Sequence, residues 1–289
     1  METRMTDTPT AITAAVLVHG AWHGAWTYER IVPLLAAHGV FAVARDLPAH
    51  GLNARFPAGY TTGAWSATSP SPAADVTLDD YVDSVVDTVA HVRALGFERL
   101  MLVGHSMGGI VVSAVAERVP EWLSRIVYLT AFMPATGVPA VTYIGAPENA
   151  GERVGGQFVA DPRVVGALRI DHRSRDAAYL AQTRAAFFGD VDEASWQAVS
   201  QLLTPDVPAA PMATPISLSR ERWGALPRHY IHCLRDEAIR PALQQRFIAE
   251  ADACTPGNRT VVHTLDTSHS PFLSQPGRLA DLLADIARH

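Results

Sequence analysis

The chain has 289 residues, 48% apolar and 18% charged, with a formal net charge of −6. That length buries an ample core, in one large α/β domain or two ordinary ones, and the acidic balance argues against nucleic-acid or membrane-surface partners, which want basic patches. No apolar run nears the ~18 residues of a membrane span, the opening METRMTDTPTAI lacks the order of a secretory signal, and Cys233 and Cys254 make neither a disulfide framework nor a metal-ligand spacing.

In chain order, residues 1–12 read as a flexible polar tail. AAVLVH (14–19) is a short apolar run ending at a glycine, the pattern of a buried strand. Apolar residues at Trp26, Ile31, Leu34 and Leu35 then predict a helix closed by His38-Gly39. VFAVARD (40–46) is a second strand. Residues 47–76 are rich in Pro, Ala, Ser and Gly without periodicity, which predicts a long excursion. Thr77 with Asp80 forms a capping-box-like start, and Leu78, Val82, Val85, Val89 and Val92 recur at helical spacing until Gly96. Strand RLMLV (99–103), a helix from about 107 to Pro120, and strand RIVYLT (125–130) follow.

The alternation stops at Pro134. From 134 to about 226 the chain is helical and loop-like, with SRDAAYLAQTRAAFF (174–188) and DEASWQAVSQLL (192–203) as its clearest helices. It resumes with RHYIHCL (228–234), a helix near 240–252, RTVVHTL (259–265) and a last helix near 276–288. Strands and helices alternating at this spacing imply βαβ units and a mostly parallel sheet flanked by helices. The expected organisation is a single α/β domain, with a core of about 13–133 and 227–289 and a helical cap inserted at about 134–226.

The chemistry starts from Gly104-His105-Ser106-Met107-Gly108, a G-x-S-x-G sequence that follows an apolar strand and opens a helix. That setting is the one a nucleophile elbow requires. The glycines let neighbouring backbones pass closely, and the helix N-terminus turns the Met107 N–H toward a developing oxyanion. A serine needs a base and an orienting carboxylate downstream. Among twelve histidines, His19, His229, His232 and His263 lie in or beside strands and read as packed. His38, His91, His172 and His289 read as solvated surface. His269 stands apart, just past the last strand, at the sheet edge where α/β active sites lie. Asp236 follows strand RHYIHCL at the same edge, in the chain order Ser, Asp, His. Asp206 and Asp266 are poorer candidates, Asp266 serving to end its strand or steady its loop, and Glu237 is expected to point away.

The second oxyanion donor is expected from the loop after the first strand, VHGAWHGAW (18–26), with Gly20 shaping the turn and Ala21 presenting its N–H. Trp22 and His23 either line the pocket or pack under the cap. Phe132, Phe187, Phe188, Trp196 and Met212 either line it too or form ordinary cap core.

Together LVHGAWHGAW, DLPAHG, LVGHSMGG, YIHCLRDEAI and TSHSPFLSQP resemble the α/β-hydrolase fold. More narrowly, they resemble the group holding plant methyl esterases, salicylate-binding esterases, hydroxynitrile lyases and bacterial esterases, from about residue 14 to the C-terminus and most weakly over 53–75 and 140–225. The resemblance implies Ser106 as nucleophile, His269 as base, Asp236 as its orienter, and Ala21 and Met107 as oxyanion donors. It also favours a homodimer. The lyases of this group carry threonine where Gly20 stands and lysine where Ser270 stands, and related epoxide hydrolases carry aspartate at the Ser106 position.

The reading that follows is a cytoplasmic serine carboxylesterase acting on a small-molecule ester through an acyl-enzyme, without cofactor or metal. Two alternatives stand beside it: a hydroxynitrile lyase-type C–C lyase, and a ligand-binding sensor that retains the hydrolase site.

Overall fold

A computed structural model describes residues 13–289; the expected N-terminal tail lies outside them. Six strands form one sheet in the order β2-β1-β3-β4-β7-β8, with β1 Thr13–Val18, β2 Phe41–Ala44, β3 Arg99–His105, β4 Arg125–Leu129, β7 Arg228–Cys233 and β8 Val261–Leu265. Every pairing in it is parallel. Two further strands, β5 Ala167–Arg169 and β6 Asp206–Pro208, pair antiparallel elsewhere. The central strands TAAVLV, RLMLVGH and RIVYL are buried along almost their whole length. Near-continuous apolar runs are what parallel strands covered on both faces require. Edge strands β2 and β8 are largely half-exposed or exposed.

Helices Ile31–Ala37 and Pro276–Arg288 pack on each other, as do Leu78–Ala94 and Gly108–Arg118. The start of Leu78–Ala94 is the expected capping box: the Asp80 N–H donates to Thr77 Oγ1 at 3.2 Å, and the Thr77 N–H donates to Asp80 Oδ2 at 2.8 Å. Pro276–Arg288 buries Leu279, Leu283 and Ile286, each worth about 1.5–3 kcal/mol over exposure. That packing holds the last helix more firmly than propensity alone would.

The segment between β4 and β7 adds no strand to the main sheet. It holds short helices, chiefly Ala177–Phe188 and Glu193–Val199, and is called the cap. The antiparallel β5–β6 pair within it is not among the expected helices and loops. Arg169 and Asp206 are directly opposed partners in that pair. Arg169 Nε and Nη2 each donate to an Asp206 carboxylate oxygen at 2.7 Å, and Nη1 donates to the carbonyls of Ala67 and Ser69, also at 2.7 Å. Both side chains are fully out of solvent. Removing one member of such a pair strands a buried charge and costs about 3–5 kcal/mol. Arg169 therefore ties the excursion at 47–76 to the cap. His172, expected on the surface, is buried here with its ring nitrogens against Tyr60 Oη. The aromatic cluster of Tyr60, Phe56 and Trp65 that covers it comes from the excursion, which has no periodicity to reveal it.

Candidate active site

The sheet order places β2 and β3 on opposite sides of β1, and crevices at the carboxyl ends of strands beside such a switch point are where α/β proteins bind ligands. Ala21 follows β1, Ser106 follows β3, Thr130 follows β4, Asp236 follows β7 and His269 follows β8. Five connections thus converge on one edge.

Ser106 has φ of 52°, in the left-handed region. A non-glycine residue is held there only where the surroundings over-determine it. Its N–H donates to Leu129 O at 3.3 Å, and its carbonyl accepts the N–H groups of Gly109 and Phe132 at 3.0 Å each. A Cβ on Gly108 would meet His19 O at 2.7 Å, so only glycine lets the helix start so close to β1. The Ser106 hydroxyl borders the cavity and has no hydrogen-bond partner among the described residues.

His269 is buried, and its Nδ1–H donates to Asp236 Oδ2 at 2.7 Å. Asp236 is fully buried. Its Oδ1 accepts the N–H groups of Ala238 at 2.6 Å and Ile239 at 2.9 Å, and Oδ2 also accepts from Thr130 Oγ1. All four acceptor sites of the carboxylate are used, which fixes its plane and, through it, the imidazole. Thr130 is itself held at φ of 37°, a genuine outlier for a β-branched residue. No sequence signal marks it, and it belongs with the site as a support of Asp236. His105, beside Ser106, donates from Nε2 to His269 O at 3.0 Å, and the two rings lie 4.6 Å apart.

The other carboxylates are engaged elsewhere. Asp206 pairs with Arg169, and Glu237 turns to Arg153 and Arg240. Asp266 pairs with Arg235 at 2.8 Å, steadying its loop as expected.

The loop after β1 is built from histidine bonds. His19 donates from Nδ1 to Gly20 O at 2.8 Å and accepts the Leu47 N–H at Nε2 at 3.0 Å. The Gly20 carbonyl shares a peptide plane with the Ala21 N–H, so fixing one aims the other. His23 donates from Nδ1 to Ala21 O at 2.6 Å. Burial pushes His23 down to about 3 and holds His19 and His105 well below the usual histidine range, so all three serve as neutral bonding groups. The Ala21 and Met107 N–H groups border the cavity and have no acceptor among the described residues.

The cavity beside Ser106 has a volume of about 40 Å³. Trp22, Phe132, Phe187 and Met212 line it. Trp22 also donates from Nε1 to Leu168 O at 3.0 Å and accepts the Thr204 N–H, so it both lines the pocket and anchors the cap. His23, Phe188 and Trp196 do not line it. His23 packs among Trp26, Phe188 and Phe272, and Trp196 lies tilted against Phe188, 5.4 Å between rings. The apolar side chains of Phe188 and Trp196 belong to cap core, and His23 packs beneath it. Ile144, Asn149, Glu152, Val154, Phe158 and Leu168 also line the cavity. They lie mostly in an irregular stretch where spacing carries no signal. Among the described residues, no group of three or more His, Cys, Asp or Glu could hold a metal ion.

A family model described as "Alpha/beta hydrolase family" matches residues 15–282. The chain belongs to that family. It is 30% identical over 282 residues to a pyrethroid hydrolase of Sphingobium wenxiniae, covering 96% of this chain and 88% of that one. It is 27% identical to methylesterase 9 of Arabidopsis thaliana, over 94% and 97% of the two chains. A crystal structure of a pyrethroid hydrolase superposes with a TM-score of 0.75 at 28% identity, covering 95% of this α/β-hydrolase and 97% of the other. This α/β-hydrolase therefore stands with the methylesterase group, and is an enzyme of the carboxylesterase type. No helix among its described residues is long and apolar enough to cross a membrane.

Proposed function

We propose that this chain is a serine carboxylesterase that works through an acyl-enzyme. The observation that carries the reading is Ser106 in a strained turn on the cavity wall, with two unengaged backbone N–H groups beside it and the His269–Asp236 pair at the same sheet edge. Ser106 Oγ swings onto His269 Nε2 when substrate binds, since catalytic hydrogen bonds often tighten only in the Michaelis complex. The hydroxyl proton passes to Nε2 as Oγ bonds to the ester carbonyl carbon. Ala21 and Met107 hold the resulting oxyanion. Collapse breaks the bond to the alcohol oxygen, which takes the proton from His269. Water then repeats the sequence on the acyl-enzyme, returning Ser106 and releasing the acid. Asp236 keeps the imidazole in the required tautomer and stabilises its cation.

The same residues could serve a lyase, which must also stabilise an anionic leaving group with a fixed positive charge. All 23 basic side chains of this chain are arginine, and no lysine occurs anywhere in it. Ser270 at the critical position is buried and donates its hydroxyl to Phe187 O at 2.6 Å. A Cβ on Gly20 would lie 2.7 Å from Ser106 Cβ, so a threonine there would displace the loop. These features support ester hydrolysis over cyanohydrin cleavage. An organophosphonate should label Ser106 alone, and Ser106→Ala should remove turnover of short aryl esters by several orders of magnitude. Label on another serine, full activity in Ser106→Ala, or efficient cyanide release from mandelonitrile overturns the reading.

A further inference from the structure

Fifteen residues line the cavity beside Ser106, and Glu152 is the single ionisable one among them apart from the serine hydroxyl. Its carboxylate is set by its own turn: Oε2 accepts the Val154 N–H at 2.6 Å and the Gly155 N–H at 2.9 Å. These neutral donors fix its position and leave its net charge in place. Neither neighbouring guanidinium bonds its carboxylate: Arg153 and Arg240 both pair with Glu237, and Arg153 also donates to Gln182. Asn149, the remaining polar lining side chain, is also spent. Its Oδ1 accepts the Arg240 N–H at 3.0 Å and its Nδ2 donates to Ile144 O at 3.2 Å. The rest of the wall is apolar, including Phe158, Ile144 and Met212. Glu152 is half-exposed, so water screens its charge in part, but a ligand seated against the apolar wall still meets that carboxylate across its unscreened side.

We propose that Glu152 makes this cavity a charge filter: it admits esters whose flanking groups are neutral or cationic and rejects those carrying a negative charge. The filter rests on the esterase reading for its chemistry, though its binding test does not. The same field acts on the reaction's own product. Each turnover converts a neutral ester into a carboxylate at Ser106, and the fixed negative charge at Glu152 favours its departure. Substrates of this site are thus neutral apolar esters or esters with an ammonium group, and half-esters of dicarboxylic acids are excluded.

The test uses three matched alkyl benzyl ketones, in which methylene replaces the bridging oxygen of the phenyl ester and the alkyl chain ends in methyl, carboxylate or trimethylammonium. Calorimetry on the wild-type protein and on Glu152→Gln, which keeps an acceptor for the turn, reads their dissociation constants. The carboxylate ketone should bind the wild type at least about tenfold more weakly than the methyl ketone, and the trimethylammonium ketone at least as tightly. In Glu152→Gln the gap should close to within about twofold. Raising ionic strength should narrow the wild-type gap as well, a measurement that needs no variant to fold. Equal binding of all three by the wild type, no binding by any, a gap unmoved by salt, or a gap unchanged in Glu152→Gln overturns the filter. Uniform weakening of all three in Glu152→Gln also overturns it, because that marks a purely structural turn. The matched aryl esters separate the two proposals. Charge-ordered ketone binding without ester turnover leaves the filter standing and sinks the esterase. Turnover without charge order does the reverse.

Discussion

At the sheet edge, Asp236 is held by Thr130, His269, Ala238 and Ile239, and Ser106 by backbone bonds to β4 and to the following helix. Across the cavity, the wall of Ile144, Val154 and Phe158 is built from irregular chain, half-buried and packed mainly through apolar contacts. The first side is over-determined, so its geometry follows from the sheet. The second depends on side-chain shape. Chemistry should therefore be intolerant of change at the edge, while substrate choice should be adjustable at the wall.

Gly20→Thr attacks the edge. Its Cβ would press on Ser106 Cβ and on His105 Nδ1, at 2.7 and 3.0 Å, and the loop must move, carrying away the Ala21 N–H proposed to hold the oxyanion. Loss of one such donor costs about 10²–10³ in kcat. Steady-state kinetics on one aryl ester should show that loss in kcat with KM little changed, and a wild-type kcat would mean the edge is more pliable than described. Phe158→Ala attacks the wall. It should redistribute kcat/KM among acyl lengths by about tenfold, in keeping with hydrophobic-pocket discrimination, while leaving the best kcat intact. Trp196→Phe, outside the cavity, should leave that distribution alone. Equal profiles for the two variants would erase the distinction between wall and cap core.

A separate effect, on stability, comes from pH. Burial lowers His23 to about 3 and His50 to about 4, and holds His19 and His105 well below the usual range; all four lie in or near the loops at the sheet edge. The cap contributes His172, lowered to about 4. Each is neutral when folded and gains a proton on unfolding below about pH 6.5. The unfolded chain then binds more protons, so their contribution is complete above pH 6.5 and shrinks as pH falls toward 4. Each should remove up to about 1.4 kcal/mol per pH unit within that window. Urea midpoints should fall steadily from pH 7 to pH 5, and a flat profile would show these histidines titrating alike in both states.

What could be read from residues alone tracks the same division. Ser106, Asp236 and His269 each follow a strand whose apolar run marks its end, so order and spacing place them at one edge. Thr130 escaped because a left-handed β-branched residue has no signature until Asp236 is seen beside it. Glu152 and Phe158 escaped because irregular chain has no period. Trp196 and His172 misled for one reason: whether a cap side chain faces the cavity, the core or water depends on how the excursion at 47–76 folds over it. Composition does not encode that.

The four hydrogen bonds of Arg169, two to Asp206 and two to Ala67 and Ser69, bear on how such an enzyme can be rebuilt. A cap carries its own guanidinium, but half of that group's acceptors belong to a loop encoded a hundred residues earlier. Grafting a relative's 134–226 segment alone would bring in a side chain with no seat, or leave Ala67 and Ser69 without their donor. Recombination between relatives should therefore succeed when the crossover carries residues 64–69 along with the cap, making two separated stretches of gene a single exchangeable unit.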